Sequence, residues 1–182
     1  MNKKLQLLIV IITTTLLLTG CGGEEETTNI TDAGPGKIAY ETTDFFIFLP
    51  EDWEILEKKD LPSDAPAEFI VAFKNNIKHD IFTASVGITK DTFTNTKTSE
   101  DFMIGSSAAI KTAIVDYNEI SAEENILIFE GKKSATAPII RFKAIYIMNG
   151  NNGYTVTSAY VPDEDESVVN MTNEMLNSFT LK

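Results

Sequence analysis

The alternation of apolar and polar positions divides the chain into three parts. Residues 5–18 form an almost uninterrupted apolar run, residues 22–36 are mostly polar, and from Lys37 onward short apolar runs alternate with turn-forming residues. Runs rich in β-branched and aromatic residues that are bounded by turn signals are typical of β-strands. The predicted strands are 38–41, 45–49, 54–58, 68–74, 81–89, a short one at 119–122, 124–130, 139–148 and 154–161.

Three segments carry more specific expectations. Residues 45–49, Phe-Phe-Ile-Phe-Leu, are apolar without alternation, which is typical of a strand covered on both faces. Residues 81–89 alternate, so one side of that strand is expected to face the core. The stretch from Asn149 to Gly153 contains residues that tolerate positive φ, which predicts a hairpin loop between two strands.

Two helices are predicted from start signals and from apolar stripes at helical spacing. Thr98 and Asp101 form a capping-box pattern, so the first helix is expected to run from there to about Val115. The second helix is expected to start at Asp163, with Glu166 as its capping partner. The first stripe comprises Phe102, Ser106, Ala109, Ile110, Ala113 and Ile114, and the second comprises Val168, Thr172, Met175, Leu176 and Phe179.

This order of elements predicts an α+β fold in a single domain, with helices packed on a mainly antiparallel sheet. Removing residues 1–20 from the 182 leaves 162 residues. That length is enough for one domain with a substantial core and too short for two. It also does not suit a receptor with two lobes that close on a solute.

The first part of the chain has the layout of a secretory signal. Lys3 and Lys4 precede an apolar run of 14 residues, whereas spanning a bilayer takes roughly 20. The run ends in Leu-Thr-Gly-Cys at residues 18–21, which resembles the lipobox of bacterial lipoproteins. The resemblance implies cleavage between Gly20 and Cys21 and the attachment of acyl chains such as palmitate at Cys21. The alternative is an ordinary signal peptide followed by a buried free cysteine.

These features predict a lipoprotein signal peptide at 1–20, a flexible acidic linker at 21–36 that begins with the lipidated cysteine, and a folded domain at 37–182. Each buried CH₂ of a lipid contributes about 0.8 kcal/mol, so two or three acyl chains would anchor the protein stably. The expected location is the extracytoplasmic face of the cell membrane.

Charge and cysteine content narrow the function classes. The formal net charge is −12, and loss of residues 1–20 removes two lysines and no acid, which leaves −14. Such a balance argues against nucleic acid, whose phosphates require a basic surface, and against docking on anionic headgroups. Contact with the membrane is therefore expected through the lipid anchor. Cys21 is the only cysteine, so lipidation leaves none for a disulfide, a zinc site or a thiol nucleophile.

Three segments of the folded part resemble a known family. They are an aromatic strand that runs into Pro-Glu-Asp-Trp at 50–53, a strand Gly-Tyr-Thr-Val-Thr at 153–157, and a terminal helix that ends in Leu-Asn-Ser-Phe at 176–179. The pattern resembles PsbP-like domains, which occur in bacterial lipoproteins, and spans about residues 38–181. The resemblance implies an α/β/α sandwich. It brings no catalytic residues with it, and a photosynthetic role would rest on fold analogy alone.

A pocket between the sheet and a helix is one candidate site. Its expected lining is apolar and comprises Phe46, Phe48, Trp53, Phe102 and Met175. Such a pocket would suit a small molecule or a lipid. The alternative for Trp53 is a core residue that follows a turn.

The acidic run at 163–166 is the candidate cation site, through Asp163, Asp165 and Glu166. Carboxylates suit Ca²⁺, but the run lacks the glycine of calcium loops, and acids at a helix start have a sufficient cause in the helix dipole. His79, the only histidine, is expected in a solvated loop, where it supports neither a zinc site nor a catalytic triad. Arg141 could hold an anionic ligand or a partner's carboxylate, or it could lie on a plain exposed face. No cofactor is expected.

The leading functional hypothesis is a non-enzymatic binding or assembly module that is anchored through Cys21 and contacts a protein partner in the envelope. A small-molecule or lipid carrier is the alternative. An enzyme whose turnover depends on His79 is the third hypothesis.

Overall fold

The computed structural model describes residues 28–61 and 65–182. The predicted signal peptide, Cys21 and the first residues of the predicted linker lie outside the described residues. The described ranges contain two helices, α1 (Ser99–Ala113) and α2 (Glu166–Ser178), a 3-10 turn at Lys58–Asp60, and these strands: β1 Asn29–Asp32, β2 Lys37–Glu41, β3 Phe45–Pro50, β4 Glu54–Glu57, β5 Phe69–Lys74, β6 Ser85–Thr92, β7 Val115–Glu123, β8 Ile126–Lys132, β9 Ile140–Asn149, β10 Asn152–Tyr160 and β11 Thr180–Leu181.

The strands form two sheets, and every pairing between the described strands is antiparallel. The large sheet has the order β4-β5-β6-β10-β9-β8-β7, and the small sheet has the order β1-β2-β3-β11. β6 and β10 therefore lie side by side in the middle of the large sheet. Both faces of these two strands can be covered by another layer.

The two sheets and two helices are stacked in layers. The small sheet and α2 pack on one face of the large sheet and enclose an apolar cluster that includes Phe45, Trp53 and Tyr154. On the opposite face, α1 packs on β8 and β9 around Phe102 and Phe142. The predicted fold class, α+β with helices packed on a mainly antiparallel sheet, is therefore confirmed.

Two local predictions are confirmed in detail. At the start of α1, the Thr98 hydroxyl accepts a hydrogen bond from the Asp101 amide at 3.0 Å, and the Asp101 carboxylate accepts one from the Thr98 amide at 3.3 Å. The hairpin between β9 and β10 turns through Gly150 and Asn151, and Gly150 has a φ of +61°. Positive φ at this position is the reason that a glycine closes the hairpin.

The start of α2 differs from the prediction. Its N-cap is Asp165, whose carboxylate accepts a hydrogen bond from the Ser167 amide at 2.8 Å. The Glu164 amide donates to the Val161 carbonyl at 3.0 Å, so a turn occupies the residues at which the helix was expected to begin. The predicted cap at Asp163 is therefore wrong. No helix within the described ranges is long and apolar enough to cross a bilayer.

The small sheet corrects two expectations. β1 lies inside the segment predicted as linker, because Asn29–Asp32 pairs with β2 in register from Asn29 opposite Glu41. β3 was expected to be covered on both faces, but its burial alternates, and Phe48 is 40% exposed. Only the face of β3 that meets the large sheet is fully covered. The uninterrupted apolar sequence of β3 therefore belongs to a strand that is fully buried on one face only.

The large sheet also differs from its predicted form at two strands. β6 starts at Ser85 rather than Ile81, and its residues from Ser85 to Thr89 are buried on both faces because layers cover both sides. The segment after α1 was expected to close the helix and then form a short strand. Instead β7 runs from Val115 to Glu123 along the edge of the sheet, where its mostly exposed side chains give no apolar pattern.

Candidate functional site

The face of the large sheet toward α1 is polar where its two central strands run side by side. Tyr146 belongs to the cluster on the α1 side and pairs with Thr155, which places Thr155 and its alternate neighbours on this face. The paired residues of β6 and β10 on this face are Asp91 with Gly153, Thr89 with Thr155, and Gly87 with Thr157. We call these six residues the polar trough.

Three oxygen atoms of the polar trough are buried without a hydrogen-bond partner in the described part of the chain. They are Thr89 Oγ1, Thr155 Oγ1 and Asp91 Oδ2. Thr89 is 6% exposed and Thr155 is 3% exposed, so contact with bulk solvent does not replace the partners. Buried polar groups in native proteins are paired in the great majority of cases. Three such atoms on one face mark the trough as the candidate site.

The spacing of these atoms suits one small hydrogen-bonding group. Thr89 and Thr155 lie directly opposite each other, which places their Cβ atoms about 4.5–5.5 Å apart. Asp91 lies two residues further along β6, a distance of about 7 Å. Hydroxyls donate or accept hydrogen bonds, whereas an ionised carboxylate only accepts them. A group that satisfied all three atoms would be an amine, amide or hydroxyl that donates to Asp91 and exchanges hydrogen bonds with the threonines.

Asp91 is the titratable group of the polar trough. Burial, assisted by the nearby carboxylate of Glu68 and opposed by Lys97, raises the pKa of Asp91 from 3.8 to about 6. Its charge therefore changes close to neutral pH. A ligand group that donates a hydrogen bond or carries a positive charge would favour the ionised carboxylate and lower this pKa.

Aromatic rings close one end of the polar trough. A Cβ atom on Gly153 would lie 2.7 Å from the Phe102 ring and 2.8 Å from the Phe93 ring, so both rings rest on the backbone of that glycine. Phe102 makes edge-to-face contacts with Phe93 and with Tyr146, each at 5.1 Å between ring centroids. Because Gly153 has no side chain, the Phe102 and Phe93 rings can pack directly on its backbone and close this end of the trough.

A second polar cluster lies on the opposite face of the large sheet. The Asp44 carboxylate accepts a hydrogen bond from the Lys90 ammonium at 2.5 Å and another from the Tyr154 hydroxyl at 2.7 Å. These two hydrogen bonds lower the pKa of Asp44, and burial raises the pKa of Tyr154 to about 12. A paired carboxylate and a tyrosine with a raised pKa are poor general bases near neutral pH. The cluster ties the turn between β2 and β3 to the large sheet.

The five residues expected to line a pocket are not brought together. Phe46 and Phe48 lie on the outer face of β3, with ring centroids 5.5 Å apart. Trp53 and Met175 are buried in the apolar cluster between the sheets, which is the core position expected as the alternative for Trp53. Phe102 lies beyond the large sheet, at the end wall of the polar trough. The sheet itself separates these groups.

The acidic run before α2 does not gather into a cation site. No three His, Cys, Asp or Glu side chains in residues 28–61 and 65–182 are placed so that they could hold a metal ion. Asp165 caps α2, and hydrogen bonds from Ser167 lower its pKa. Asp163 is exposed in the preceding turn, and Glu166 lies in the first helical turn, where the helix dipole favours an acid.

The two other candidate residues, His79 and Arg141, form hydrogen bonds with nearby groups. His79 lies between β5 and β6, and its Nδ1 accepts a hydrogen bond from the Ile81 amide at 3.1 Å. Arg141 donates to Glu130, its direct neighbour on β8, through Nε at 2.8 Å and through a terminal nitrogen at 2.5 Å. The guanidinium is thus paired within the sheet.

Sequence reasoning did not single out the trough residues. Thr89 and Thr155 are ordinary strand formers, and Asp91 stands near the end of β6, where an exposed acid is common. The available signal was the alternation of Thr155 and Thr157 with apolar residues along β10. That pattern indicated a polar face, but not that another layer buries it.

Comparison with known proteins identifies the fold. No family model matches the chain, and no curated protein matches it in sequence. LpqN of Mycobacterium tuberculosis, described as involved in cell envelope biogenesis, is similar over 87% of this chain and 92% of its own, with a TM-score of 0.54 and 10% identity. Cyanobacterial PsbP from Synechocystis is similar over 91% of this chain and 99% of its own, with a TM-score of 0.47 and 15% identity.

A protein of unknown function from Pseudomonas aeruginosa is similar over 76% of this chain and 85% of its own, with a TM-score of 0.42 and 10% identity. At such identities the likenesses concern the fold and carry over no site residue. The likeness to LpqN, whose TM-score is 0.54, shows a shared fold, and the predicted α+β fold is confirmed.

Proposed function

We propose that this chain is a lipoprotein held at the extracytoplasmic face of a membrane, where it acts as a non-enzymatic binding or assembly module for an envelope component. The observation that carries the proposal is the polar trough, in which Thr89, Thr155 and Asp91 offer hydrogen-bonding atoms that have no partner within residues 28–61 and 65–182. Groups fixed on central strands are suited to binding, because they are pre-organised before the ligand arrives.

Anchoring rests on the sequence and on where the fold begins. Cys21 follows a signal-like segment, and β1 starts at Asn29, eight residues later. A chain of that length spans at most about 28 Å. The small sheet therefore stays close to the bilayer if Cys21 is lipidated. The fold shared with a mycobacterial protein involved in envelope biogenesis is compatible with this location.

The test of the anchor is metabolic labelling. Labelled palmitate should enter the wild-type protein and should not enter Cys21→Ser. Equal labelling of the two proteins would overturn the anchoring part of the proposal.

The test of the binding role is crosslinking in intact cells, followed by mass spectrometry of the captured molecules, with Cys21→Ser as the unanchored control. One dominant envelope protein that is lost with the anchor would support an assembly module. Capture of the same partners by both proteins would contradict it, since location would then be irrelevant to the contact.

A small-molecule carrier is the second candidate function, and the polar trough favours it because this site lies on the face of the large sheet that carries α1. Native mass spectrometry of the purified full chain should then detect a bound small molecule. The mass should be absent from a variant that carries both Asp91→Asn and Thr155→Val, and present in Thr31→Val, an exposed threonine of β1. Retention of the molecule by the double variant would exclude the trough as its site.

A further inference from the structure

The outer face of the small sheet lies beside Asn29, where the predicted linker from Cys21 enters the fold. Side chains that share this face form two transverse rows, read from the strand registers: Thr31, Ala39 and Phe48 in one, and Asn29, Glu41, Phe46 and Thr180 in the other. Asn29 is the first residue of β1, so the chain arrives from Cys21 in the same row as Phe46.

Two aromatic rings protrude from this outer face. Phe46 and Phe48 have ring centroids 5.5 Å apart, and Phe48 is 40% exposed. Their strand neighbours Phe45 and Ile47 point inward and are fully buried, so the outward rings are not needed to close the core. Large aromatic side chains with a free surface are typical of contact sites.

The charges around these rings are paired. The Lys37 ammonium lies 2.9 Å from the Glu174 carboxylate, and the Lys182 ammonium lies 2.8 Å from the Glu41 carboxylate. The outer face is therefore close to neutral, although the mature chain is strongly acidic. A neutral face with aromatic rings can approach a lipid surface at little electrostatic cost.

The predicted linker is short enough to hold the outer face of the small sheet near the bilayer. β1 and β3 are two strands apart, about 10 Å, so the rings lie well within the reach of about 28 Å that eight residues allow. Residues 22–28 are Gly, Glu and Thr, which offer no apolar side chain to cover the rings. Because the anchor makes contact with the bilayer intramolecular, a weak apolar contact is enough to fix the orientation.

We propose that the outer face of the small sheet docks on the lipid surface, with Phe46 and Phe48 inserted at the boundary between headgroups and acyl chains. The occupant is the lipid bilayer that carries the anchor. This orientation rests on the anchoring proposed above. It places α1, which packs on the opposite face of the large sheet, on the side away from the membrane.

The test uses the full lipidated chain reconstituted into phosphatidylcholine vesicles whose acyl chains carry bromine, a quencher of tryptophan emission. Phe48→Trp introduces a reporter on the outer face, and Ile104→Trp introduces one on α1, where Ile104 is 56% exposed. The buried Trp53 gives the background, which is measured in the parent protein. We expect quenching by bromine to be several-fold greater for Phe48→Trp than for Ile104→Trp.

Equal quenching at the two positions in protein that floats with the vesicles would overturn the docking and leave the anchor intact. Protein that does not float would overturn the anchor and the docking together. A blue shift of Phe48→Trp emission that depends on protein density and occurs without quenching would show that a second copy covers the face, which also contradicts lipid docking.

A second reporter avoids any change to the rings. Cys21 is the only natural cysteine, so once it is lipidated a spin label attaches only to an introduced thiol. Thr31→Cys lies in the same row as Phe48, and Ile104→Cys on α1 serves as the control. A label at residue 31 that is more accessible to oxygen dissolved in the bilayer than to an aqueous relaxation agent supports docking. The reverse order of accessibility overturns it.

Discussion

The two faces of the central strands β6 and β10 differ in how their polar groups are paired. Toward the small sheet the strands present Val86, Ile88 and Val156 to an apolar cluster. Toward α1 they present Thr89 and Thr155, whose hydroxyls lack partners among the residues that the structure describes. Valine and threonine have similar shapes and both favour strands. Strand formation therefore does not explain the threonines, whereas the proposed binding role would.

Neighbouring residues of β6 show the same contrast for charge. Lys90 points toward the small sheet, where Asp44 pairs with it at 2.5 Å. Asp91 points into the polar trough, where one of its oxygens has no partner within the described ranges. The pKa of Asp44 is lowered, first by its hydrogen bond with Lys90, while burial raises that of Asp91. At neutral pH the first acid stabilises the fold and the second destabilises it.

The largest expected effect comes from removing a ring on the apolar side. Phe45 is fully buried and packs on Phe179 at 5.1 Å between ring centroids. Phe45→Ala should lower the free energy of unfolding by about 3–5 kcal/mol, as measured by urea denaturation. Phe48→Ala, on the outer face of the same strand, is the control and should cost less than about 1 kcal/mol. Similar losses would mean that the apolar cluster does not dominate stability.

The next effect tests the buried carboxyl of the polar trough. Because the folded-state pKa of Asp91 is about 6 and its ordinary value is 3.8, the folded chain holds more protons than the unfolded chain in that window. Stability therefore falls as pH rises through it. Asp91→Asn should raise the free energy of unfolding by about 1–3 kcal/mol at about pH 7.5 and change it little at about pH 4.

Urea denaturation at the two pH values measures this difference, and Asp80→Asn, in an exposed loop, is the control. The control should show no comparable gain at the higher pH. An equal gain for Asp91→Asn at both pH values would contradict a buried carboxyl that titrates near neutrality.

A smaller effect of opposite sign is expected for Asp44. Its folded-state pKa is lowered, so its contribution is present above about pH 4 and is lost as pH falls through the folded value. Asp44→Asn leaves the partly buried Lys90 without its counter-ion and should lower the free energy of unfolding at neutral pH by about 1–2 kcal/mol. Glu174→Gln removes an exposed ion pair and should cost less than about 0.5 kcal/mol. If thermal melts show equally small losses of stability for the two variants, the cluster of Asp44, Lys90 and Tyr154 does not contribute to the stability of the fold.

The smallest effect concerns a single hydroxyl. Thr155→Val keeps the shape of the side chain and removes an oxygen that has no partner in the described chain, so we expect a gain of about 0.5–1 kcal/mol. Thr172 is the matched control, since it is fully buried and its hydroxyl donates to the Val169 carbonyl at 2.8 Å. Thr172→Val should lose stability by a similar amount. A loss at Thr155 as well would show that its hydroxyl is paired in solution.

Much of the fold followed from local signals. The capping box of Thr98 and Asp101 and the glycine at the hairpin turn act within a few residues, so their prediction did not depend on the rest of the molecule. β7 was largely missed, because an exposed edge strand has no apolar face to reveal it. The N-cap of α2 was misplaced by two residues, since several acids in succession satisfy the same capping pattern.

The candidate site was not predictable in the same way. Asp91 is half-buried and pairs with Gly153, against which Phe102 packs from α1, eleven positions later in the chain than Asp91. The expected pocket combined Phe102 with Trp53, yet these residues lie on opposite faces of the large sheet. Apolar character predicts burial, but it does not identify the face on which burial occurs.

By itself the sequence determined the strand and helix periodicities, the helix start at Thr98, the acidic charge and the lipobox-like segment at Cys21, whose lipidation stays a prediction. Only the tertiary structure decided that β6 and β10 lie in the centre of a sheet with a layer on each side. The physical reason is that a period of two fixes which side chains share a face, whereas strand order and layer packing fix whether that face is covered. The trough oxygens that lack partners among the described residues are buried only because a layer covers that face.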